Sequence, residues 1–162
     1  MTINIGDKLP DATLRIMTGE GPKSVSTGEV FGGKRVVLFA IPIPFSPTCH
    51  RNHLPGFIEH ADAIKAKGID EIMVVAVNDA WVMDAWEKAT KAEGKVTFLA
   101  DASGEFNKAL GLIATLTPPP GLGLFSKRYS MIVNDGVVET LNIEEKPGVA
   151  EISGAARIME QL

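Results

Sequence analysis

The sequence predicts an α/β domain in which helices cover both faces of a buried, mostly parallel β-sheet. Three observations predict this class: apolar runs recur along the chain, amphipathic segments separate them, and a β-hairpin signal follows the last long loop. Continuous apolar strands are typical of sheets covered on both faces. The chain has 162 residues, a length that suits one compact domain, so we assign residues 1–162 to a single domain.

Five short apolar segments are predicted to be strands because they are rich in β-branched residues and bounded by turn signals. They are residues 36–41, 72–77, 96–100, 129–133 and 137–141. The last two segments flank Asp135-Gly136. Because Asp-Gly between two β-prone runs favours a tight turn, we expect a hairpin whose final strand forms an antiparallel edge.

Helices are predicted between these strands, in the order β-α-β-α-β-α-β-β-α. They cover residues 54–64, 80–93 and 105–110, and a last amphipathic segment ends near residue 162. Asp79 and Ser103 are suitable N-caps for the second and third helices, and Gly68 and Gly94 follow the ends of the first and second. The proline-rich segment 117–123 is predicted to be a loop.

Charge, hydropathy and cysteine content exclude several classes of protein. The net charge of -4 and pI of about 5.4 argue against nucleic acid as the main partner, because phosphate binding needs a basic surface. No apolar run approaches a membrane span, and the first residues do not resemble a secretory signal, so we expect no membrane partner. A single cysteine excludes an intrachain disulfide and suits the reducing cytoplasm, the expected location.

The segment that carries chemistry joins the first predicted strand to the first predicted helix, at residues 41–57. Sites in open α/β sheets lie beyond the carboxyl ends of strands. If Cys49 lies in the first helical turn, free backbone N–H groups and the helix dipole favour its nucleophilic thiolate form. A lone cysteine is more often an inert packing residue, but the Pro, Ser and Thr residues crowded before this helix favour a reactive one.

The residues around Cys49 resemble those of a known family. Pro42-x-x-x-Ser46-x-x-Cys49 resembles the peroxiredoxin signature of proline, a hydroxyl residue and cysteine at this spacing. Further segments are similar to the type II peroxiredoxins, also called the peroxiredoxin-five subfamily, and they occur in family order along most of the chain. These segments are Phe45–Cys49, His53–Phe57, Val77–Val82, Ala92–Lys95 and Ser126–Ser130.

The resemblance implies a thioredoxin-like fold with a central mixed β-sheet flanked by helices, and a homodimer. It implies that Cys49 attacks the peroxide and that the Ser46 hydroxyl hydrogen-bonds both the thiolate and a peroxide oxygen. Arg128 is expected beside the sulfur from a distant strand, and Pro42 is expected to shield the pocket from water. Backbone N–H groups of Thr48 and Cys49 are expected to help hold the peroxide.

These roles agree with the chemistry of peroxide reduction. Attack by Cys49 on one oxygen moves negative charge to the other, and fixed donors such as a guanidinium stabilise that charge. The product is a sulfenic acid on Cys49. Since the chain holds no second cysteine, an outside thiol must complete the cycle, either glutathione with glutaredoxin or thioredoxin. We expect a hydroperoxide substrate and no cofactor.

Three other interpretations were compared with this one. Cys49-His50-x-x-His53 has too few and too closely spaced ligands for a typical zinc site, so no metal is expected. A cysteine hydrolase needs a histidine from elsewhere in the fold, and none follows His60. A non-catalytic thioredoxin-like domain that senses oxidants or binds a partner is the alternative function. The chain departs from the family at Ile43-Pro44, where small residues are common, and at His50, commonly a small polar residue.

Overall fold

The computed structural model describes residues 1–114 and 123–162. Its strands form one seven-stranded sheet in the order β2-β1-β5-β4-β3-β6-β7. The strands are β1 Thr13–Thr18, β2 Gly21–Ser26, β3 Arg35–Ala40, β4 Glu71–Ala76, β5 Thr97–Ala100, β6 Tyr129–Asn134 and β7 Val137–Ile143. All five predicted strands are therefore confirmed, within a residue or two at each end. The predicted loop 117–123 lies outside the described residues except for Gly123.

Helices flank this sheet. They are α1 Thr27–Phe31, α2 Leu54–Glu59, α3 Ala61–Ala66, α4 Ala80–Thr90, α5 Glu105–Leu110 and α6 Ala155–Gln161, and a π-helical turn, Cys49–His53, leads directly into α2. Within residues 1–114 and 123–162, no helix has the length and hydropathy needed to span a lipid bilayer.

The strand directions confirm a mixed sheet and correct the expectation of a mostly parallel one. Among the strands of the described residues, only the β3–β4 and β4–β5 pairs are parallel. The β1–β2, β1–β5, β3–β6 and β6–β7 pairs are antiparallel. The difference arises because the hairpin of β6 and β7 returns beside β3, while a hairpin at the start of the chain extends the other edge of the sheet.

Strand β3 lies at the centre of two apolar layers. Val37 and Phe39 pack on one face of the sheet with residues of the π-turn, α2, α3, α4 and α6. Val36 and Leu38 pack on the other face with residues of α1 and α5. Because each buried aliphatic or aromatic side chain stabilises the fold by about 1.5–3 kcal/mol, the strand is fixed from both sides. Its carboxyl end therefore holds the following segment, which carries Cys49, in a defined position.

The first hairpin and α1 were not predicted from the sequence. β1 and β2 are largely exposed or half-buried, so their apolar residues do not form the continuous run of a central strand. A signal for α1 was nevertheless present, because Ser26 and Glu29 form a capping box. The Glu29 N–H donates to Ser26 Oγ at 3.1 Å and the Ser26 N–H donates to Glu29 Oε2 at 2.9 Å.

The second hairpin is confirmed, including its turn. Asn134 pairs with Val137, so two residues connect β6 and β7. Asp135 has φ 48° and Gly136 has φ 78°. Positive φ at both central positions defines a type I′ turn, whose twist matches that of the flanking strands.

The predicted helix over residues 54–64 is longer and interrupted in the structure. Helical geometry begins at Pro47, passes through the π-turn and α2, and breaks at His60, where φ is -95° and ψ is 7°. The chain resumes as α3. The periodic apolar residues on both sides of the break still pack in one core, which explains why the apolar pattern did not reveal it.

Two further helix boundaries differ from the predictions. α4 ends at Thr90 rather than at residue 93 because Lys91 adopts a left-handed conformation with φ 54°. At α5, Gly104 occupies the N-cap position and the Ser103 side chain does not cap the helix. The buried carboxylate of Asp101 accepts the N–H groups of Phe106 and Asn107 instead, at 3.1 and 2.9 Å.

Candidate active site

Residues 41–48 connect the carboxyl end of β3 to Cys49, which lies in the first turn of the helical run that begins at Pro47. The His50 N–H donates to Ser46 O at 2.8 Å, which places the N–H groups of Thr48 and Cys49 ahead of the first intrahelical bond. The predicted position of Cys49 at a helix start is thus confirmed. Its side chain is completely buried, with 0% exposure.

Arg128 contacts the sulfur from the residue preceding β6. Its Nη2 donates to Cys49 Sγ at 3.1 Å and to Pro147 O at 2.9 Å, and its Nε donates to Pro147 O at 3.1 Å. Nη1 contacts His53 Nδ1 at 2.9 Å. Only 2% of Arg128 is exposed. The guanidinium is therefore held on three sides, with one edge directed at the sulfur.

His53 holds the far side of the guanidinium. Since Arg128 can only donate, His53 Nδ1 accepts and its proton lies on Nε2, which donates to Ser153 O at 2.9 Å. Burial, aided by the adjacent Arg128 charge and opposed by the Ser153 bond, lowers the pKa of His53 to about 3. The ring is therefore neutral. The sequence analysis considered the His53 side chain only as a metal ligand, although its position four residues after Cys49 places both on one helix face.

The segment 147–153, which we call the carbonyl loop, supplies main-chain acceptors to the residues of this site. Pro147 O accepts from Arg128 and Ser153 O accepts from His53. Gly148 O accepts from the Thr48 hydroxyl at 3.1 Å. The loop thus contacts the helix start, the histidine and the arginine together. Sequence reasoning did not identify it, because carbonyl oxygens leave no residue-type signature.

The Glu144 side chain holds the end of the carbonyl loop by hydrogen bonds. Its carboxylate is buried and accepts the Ser153 N–H at 2.9 Å, the Ser153 hydroxyl at 2.7 Å and the Ile152 N–H at 3.3 Å. The Glu144 N–H donates to Arg128 O at 2.9 Å. One residue therefore joins the backbone of Arg128 to the end of the loop that holds His53.

Ser46 and Pro42 lie in the segment that connects β3 to Cys49. The Ser46 hydroxyl donates to Ile43 O at 2.6 Å. Its one hydrogen is therefore not directed at the sulfur, which differs from the expectation that this hydroxyl bonds the thiolate. The turn formed by Ile43, Pro44, Phe45 and Ser46 brings that carbonyl within hydrogen-bonding distance of the hydroxyl. Pro42 is buried immediately after β3.

Both histidines of the Cys49-His50-x-x-His53 pattern bond protein groups. His50 Nδ1 accepts from Trp86 Nε1 at 3.1 Å, and Phe45 stacks on the His50 ring with centroids 5.7 Å apart. Trp86 is buried and packs edge-on against Phe98. His50 therefore links the helical run that carries Cys49 to α4 on the neighbouring side of the core.

The site brings a nucleophile, a fixed cation and main-chain donors to one point. A thiolate beside a guanidinium and a helix start is the arrangement that activates cysteine toward electrophiles. Arg128 also offers donors for charge that develops on an oxygen attacked by the sulfur. The neutral state of His53 leaves the positive charge on Arg128 and adds none of its own.

Comparisons with known proteins agree with this arrangement. The model of the Redoxin family matches residues 4–158. Peroxiredoxin-2C of Oryza sativa subsp. japonica is 44% identical over 161 residues, which cover 99% of this chain and 98% of that protein. The structure of reduced Prx3 of Vibrio vulnificus in complex with H2O2 is 48% identical in sequence and superposes with a TM-score of 0.93. The match covers 99% of this chain and 99% of that chain.

The chain belongs to the redoxin family, as a peroxiredoxin. The resemblance to type II peroxiredoxins and the thioredoxin-like fold are confirmed, and so is thiol-dependent peroxidase function at the level of the family. A further relative, the chloroplastic Peroxiredoxin-2E of Arabidopsis thaliana, is 45% identical over 148 residues. This peroxiredoxin spans 63% of the length of that relative.

Proposed function

We propose that this peroxiredoxin reduces hydrogen peroxide and organic hydroperoxides through a sulfenic acid on Cys49. The observation that carries the proposal is the 3.1 Å contact between Arg128 Nη2 and Cys49 Sγ at a completely buried sulfur. Apart from the sulfur, the partners of this guanidinium are carbonyl oxygens and a neutral imidazole. The thiolate is thus the negative group to which Arg128 is matched.

The first step makes one bond and breaks one. The thiolate of Cys49 attacks one oxygen of ROOH, the S–O bond forms, and the O–O bond breaks. The remaining oxygen leaves as an alkoxide or hydroxide and takes up a proton to give an alcohol or water, while sulfur is oxidised to sulfenic acid. Donors of Arg128 stabilise the thiolate before the step and the leaving oxygen during it.

The roles proposed for the neighbouring residues follow from their geometry. The N–H groups of Thr48 and Cys49 precede the first intrahelical bond and are suited to donate to a peroxide oxygen. Because the Ser46 hydroxyl donates to Ile43 O, its oxygen is left to accept the O–H of the peroxide. Pro42 is buried and offers no N–H of its own, so it excludes water from the thiolate.

An external thiol completes the cycle in this proposal, and no cofactor takes part. The support is the composition, since the chain has one cysteine. A thiolate attacks the sulfenic sulfur and releases hydroxide, giving a mixed disulfide that a second thiol resolves. Glutathione with glutaredoxin and thioredoxin are the two candidate reductants, and assays with each supplied alone distinguish them.

A homodimer and a cytoplasmic location are the remaining parts of the proposal. Support for self-association comes from large apolar side chains that are exposed in the single chain, namely Phe45 at 49%, Trp81 at 66% and Leu124 at 47%. Trp81→Glu should lower the molar mass measured by sedimentation, and an unchanged mass would place any dimer contact elsewhere. The location is tested by fractionating cells that express the full chain.

The function is tested by peroxide consumption with each reductant, for wild type and Cys49→Ser. We expect sustained turnover for wild type with at least one reductant and no enzymatic rate for the variant, because serine supplies no thiolate. Circular dichroism confirms that the variant is folded. Equal rates in both proteins would exclude Cys49 as the reacting residue, and slow oxidation of wild type without turnover would favour the non-catalytic sensing domain.

A further inference from the structure

The position of Arg128 depends on its main chain as well as on the partners of its guanidinium. Arg128 lies just before β6, which starts at Tyr129. Its side chain is directed to the face of the sheet that carries Cys49, whereas the next side chain, Tyr129, belongs to the apolar layer on the opposite face. Contacts made by Tyr129 on that face therefore fix the main chain from which Arg128 reaches the sulfur.

Three buried side chains on that face form a hydrogen-bond network, which we call the tyrosine network. The Tyr129 hydroxyl donates to Asn107 Oδ1 at 2.8 Å, and Asn107 Nδ2 donates to Asp101 Oδ2 at 2.9 Å. Tyr129 and Asn107 are 0% exposed and Asp101 is 1% exposed. Because buried hydrogen bonds in series polarise one another, the network holds the hydroxyl end of the tyrosine in one position.

The direction of each bond in the tyrosine network follows from the chemistry of its groups. Burial, aided by the nearby Asp101 charge, raises the pKa of Tyr129 well above its usual range. The phenol is therefore protonated and donates its hydrogen. Asp101 accepts through its carboxylate, so the amide of Asn107 is oriented with its nitrogen toward Asp101 and its oxygen toward Tyr129.

Helix α5, which carries Asn107, is a fixed support for the tyrosine network. The same Asp101 carboxylate accepts two N–H groups at the start of this helix. Phe106 is completely buried and stacks on Phe31 of α1, with ring centroids 6.2 Å apart. Because cores are close-packed, a shift of Asn107 would disturb both the helix start and the layer behind it.

The chain that follows α5 also holds the residue before Arg128. Just past the end of the helix, Leu112 O accepts the Lys127 N–H at 2.8 Å. The Tyr129 hydroxyl bond to Asn107 holds the residue after Arg128. The main chain is thus tied to α5 and its C-terminal extension on both sides of Arg128.

We propose that Tyr129 is a positioning residue for Arg128, acting through the bond of its hydroxyl to Asn107. This role rests on the proposed function. Tyr129 lies on the face of the sheet opposite the sulfur, so it acts on the reaction only through the placement of the guanidinium. Loss of the hydroxyl leaves the ring in the core but lets the start of β6 shift. A small displacement of a preorganised donor lowers the rate of the step that it assists.

The test variant is Tyr129→Phe, which removes the hydroxyl and keeps the ring. Asn107→Leu breaks the tyrosine network at its middle. Val133→Ala is the matched control, because Val133 is buried in the same layer of the same strand but near its far end. The measured quantity is the second-order rate constant for oxidation of Cys49 by hydrogen peroxide, obtained by rapid mixing. Thermal unfolding reports the stability of each variant.

We expect Tyr129→Phe to slow this oxidation by about three- to tenfold, the factor equivalent to the net strength of one hydrogen bond. Asn107→Leu should slow it to a similar extent. The double variant should be no slower than the slower single variant, because both residues belong to one network. Val133→Ala should lower the unfolding temperature and keep the rate within about twofold of wild type.

Two further measurements separate positioning from a general loss of stability. In Arg128→Gln no guanidinium remains to be positioned, so adding Tyr129→Phe should change the oxidation rate by less than about twofold. The ultraviolet absorbance of the thiolate is followed against pH as the difference from Cys49→Ser. In Tyr129→Phe its rise should move to higher pH, because a displaced guanidinium stabilises the thiolate less.

A wild-type rate in both Tyr129→Phe and Asn107→Leu would overturn the proposal. Equal slowing by Tyr129→Phe with and without the Arg128 guanidinium would also overturn it, as would equal slowing in Val133→Ala. Failure of the proposed function has a different signature, since wild type would then form no sulfenic acid. The thiolate absorbance would still report whether Tyr129 sets the position of the guanidinium beside Cys49.

Discussion

Arg128 is a buried cation whose charge is balanced in an unusual way. It is 2% exposed, and within residues 1–114 and 123–162 no carboxylate forms an ion pair with it. A buried charge is costly unless it is paired and hydrogen-bonded. The Pro147 carbonyl and His53 accept from this guanidinium, and Nη2 also donates to Cys49 Sγ at 3.1 Å. In the proposed function, the thiolate of Cys49 supplies the negative charge that pairs with this buried guanidinium.

Arg128→Lys should slow the oxidation of Cys49 by peroxide by about a hundredfold or more, the cost typical of losing preorganised donors. Lysine keeps the charge but cannot reach the sulfur, His53 and Pro147 O at once. The second-order rate constant from rapid mixing is the measurement. Lys127→Arg is the control, because it makes the reverse exchange at the next position. A wild-type rate in Arg128→Lys would show that charge alone suffices.

The neutral His53 makes stability depend on pH in a defined window. Its pKa in the fold is about 3, below the ordinary value of about 6.5 in the unfolded chain. Between these values the unfolded state binds more protons, so stability is lost as pH falls below about 6.5 and the loss continues to about pH 3. Lowering the pH from 7 to 5 should cost about 2 kcal/mol at this residue.

Urea unfolding at pH 7 and pH 5 measures this contribution. His53→Gln removes the titration and keeps an acceptor and a donor on the side chain. The variant should therefore lose about 2 kcal/mol less than wild type between the two pH values. The same pH dependence in both proteins would contradict the assignment of a buried neutral imidazole.

At the scale of elements, the site is built where three segments meet. β3 delivers the helical run that carries Cys49, the start of β6 delivers Arg128, and the chain after β7 delivers the carbonyl loop. The first two are fixed by the sheet, since β3 and β6 pair along their length. The carbonyl loop has no strand partner, so its position depends on Glu144 and on the side chains that it accepts from.

Glu144→Gln should destabilise the protein by about 2 kcal/mol, because hydrogen bonds to a charged buried acceptor contribute about that much. It should also lower the rate of Cys49 oxidation, since Ser153 and His53 lose their support. Glu145→Gln, at the exposed neighbouring position, is the matched control and should change stability by no more than about 0.5 kcal/mol. If both variants behaved alike, Glu144 would not position the carbonyl loop.

At the scale of the whole molecule, a single cysteine determines the stoichiometry of the reaction. Without added thiol, each chain should consume about one equivalent of peroxide before over-oxidation begins, because the sulfenic acid has no second thiol in the chain. Intact mass should then show one added oxygen. With glutathione alone it should show one glutathione joined to the chain. A burst much larger than one equivalent would require another redox group.

The sequence by itself determined the elements and residues that rest on local signals. The Asp135-Gly136 hairpin follows from residues that tolerate positive φ, and the α4 start follows from Asp79, whose carboxylate accepts the Val82 N–H at 2.9 Å. The position of Cys49 after a buried strand and at a helix start was predictable for the same reason. The spacing of Pro42, Ser46 and Cys49 was sufficient to indicate the family.

Only the tertiary structure decided how these residues are held. Arg128 meets Cys49 and His53 across 79 and 75 residues of chain, and His53 meets Ser153 O across 100. The Trp86–His50 bond likewise joins segments that the sequence leaves unrelated. Partners such as carbonyl oxygens are present at every residue, so the sequence carries no mark of which one is used. Packing of the sheet brings particular carbonyls and side chains within hydrogen-bonding distance, and that geometry exists only once the chain is folded.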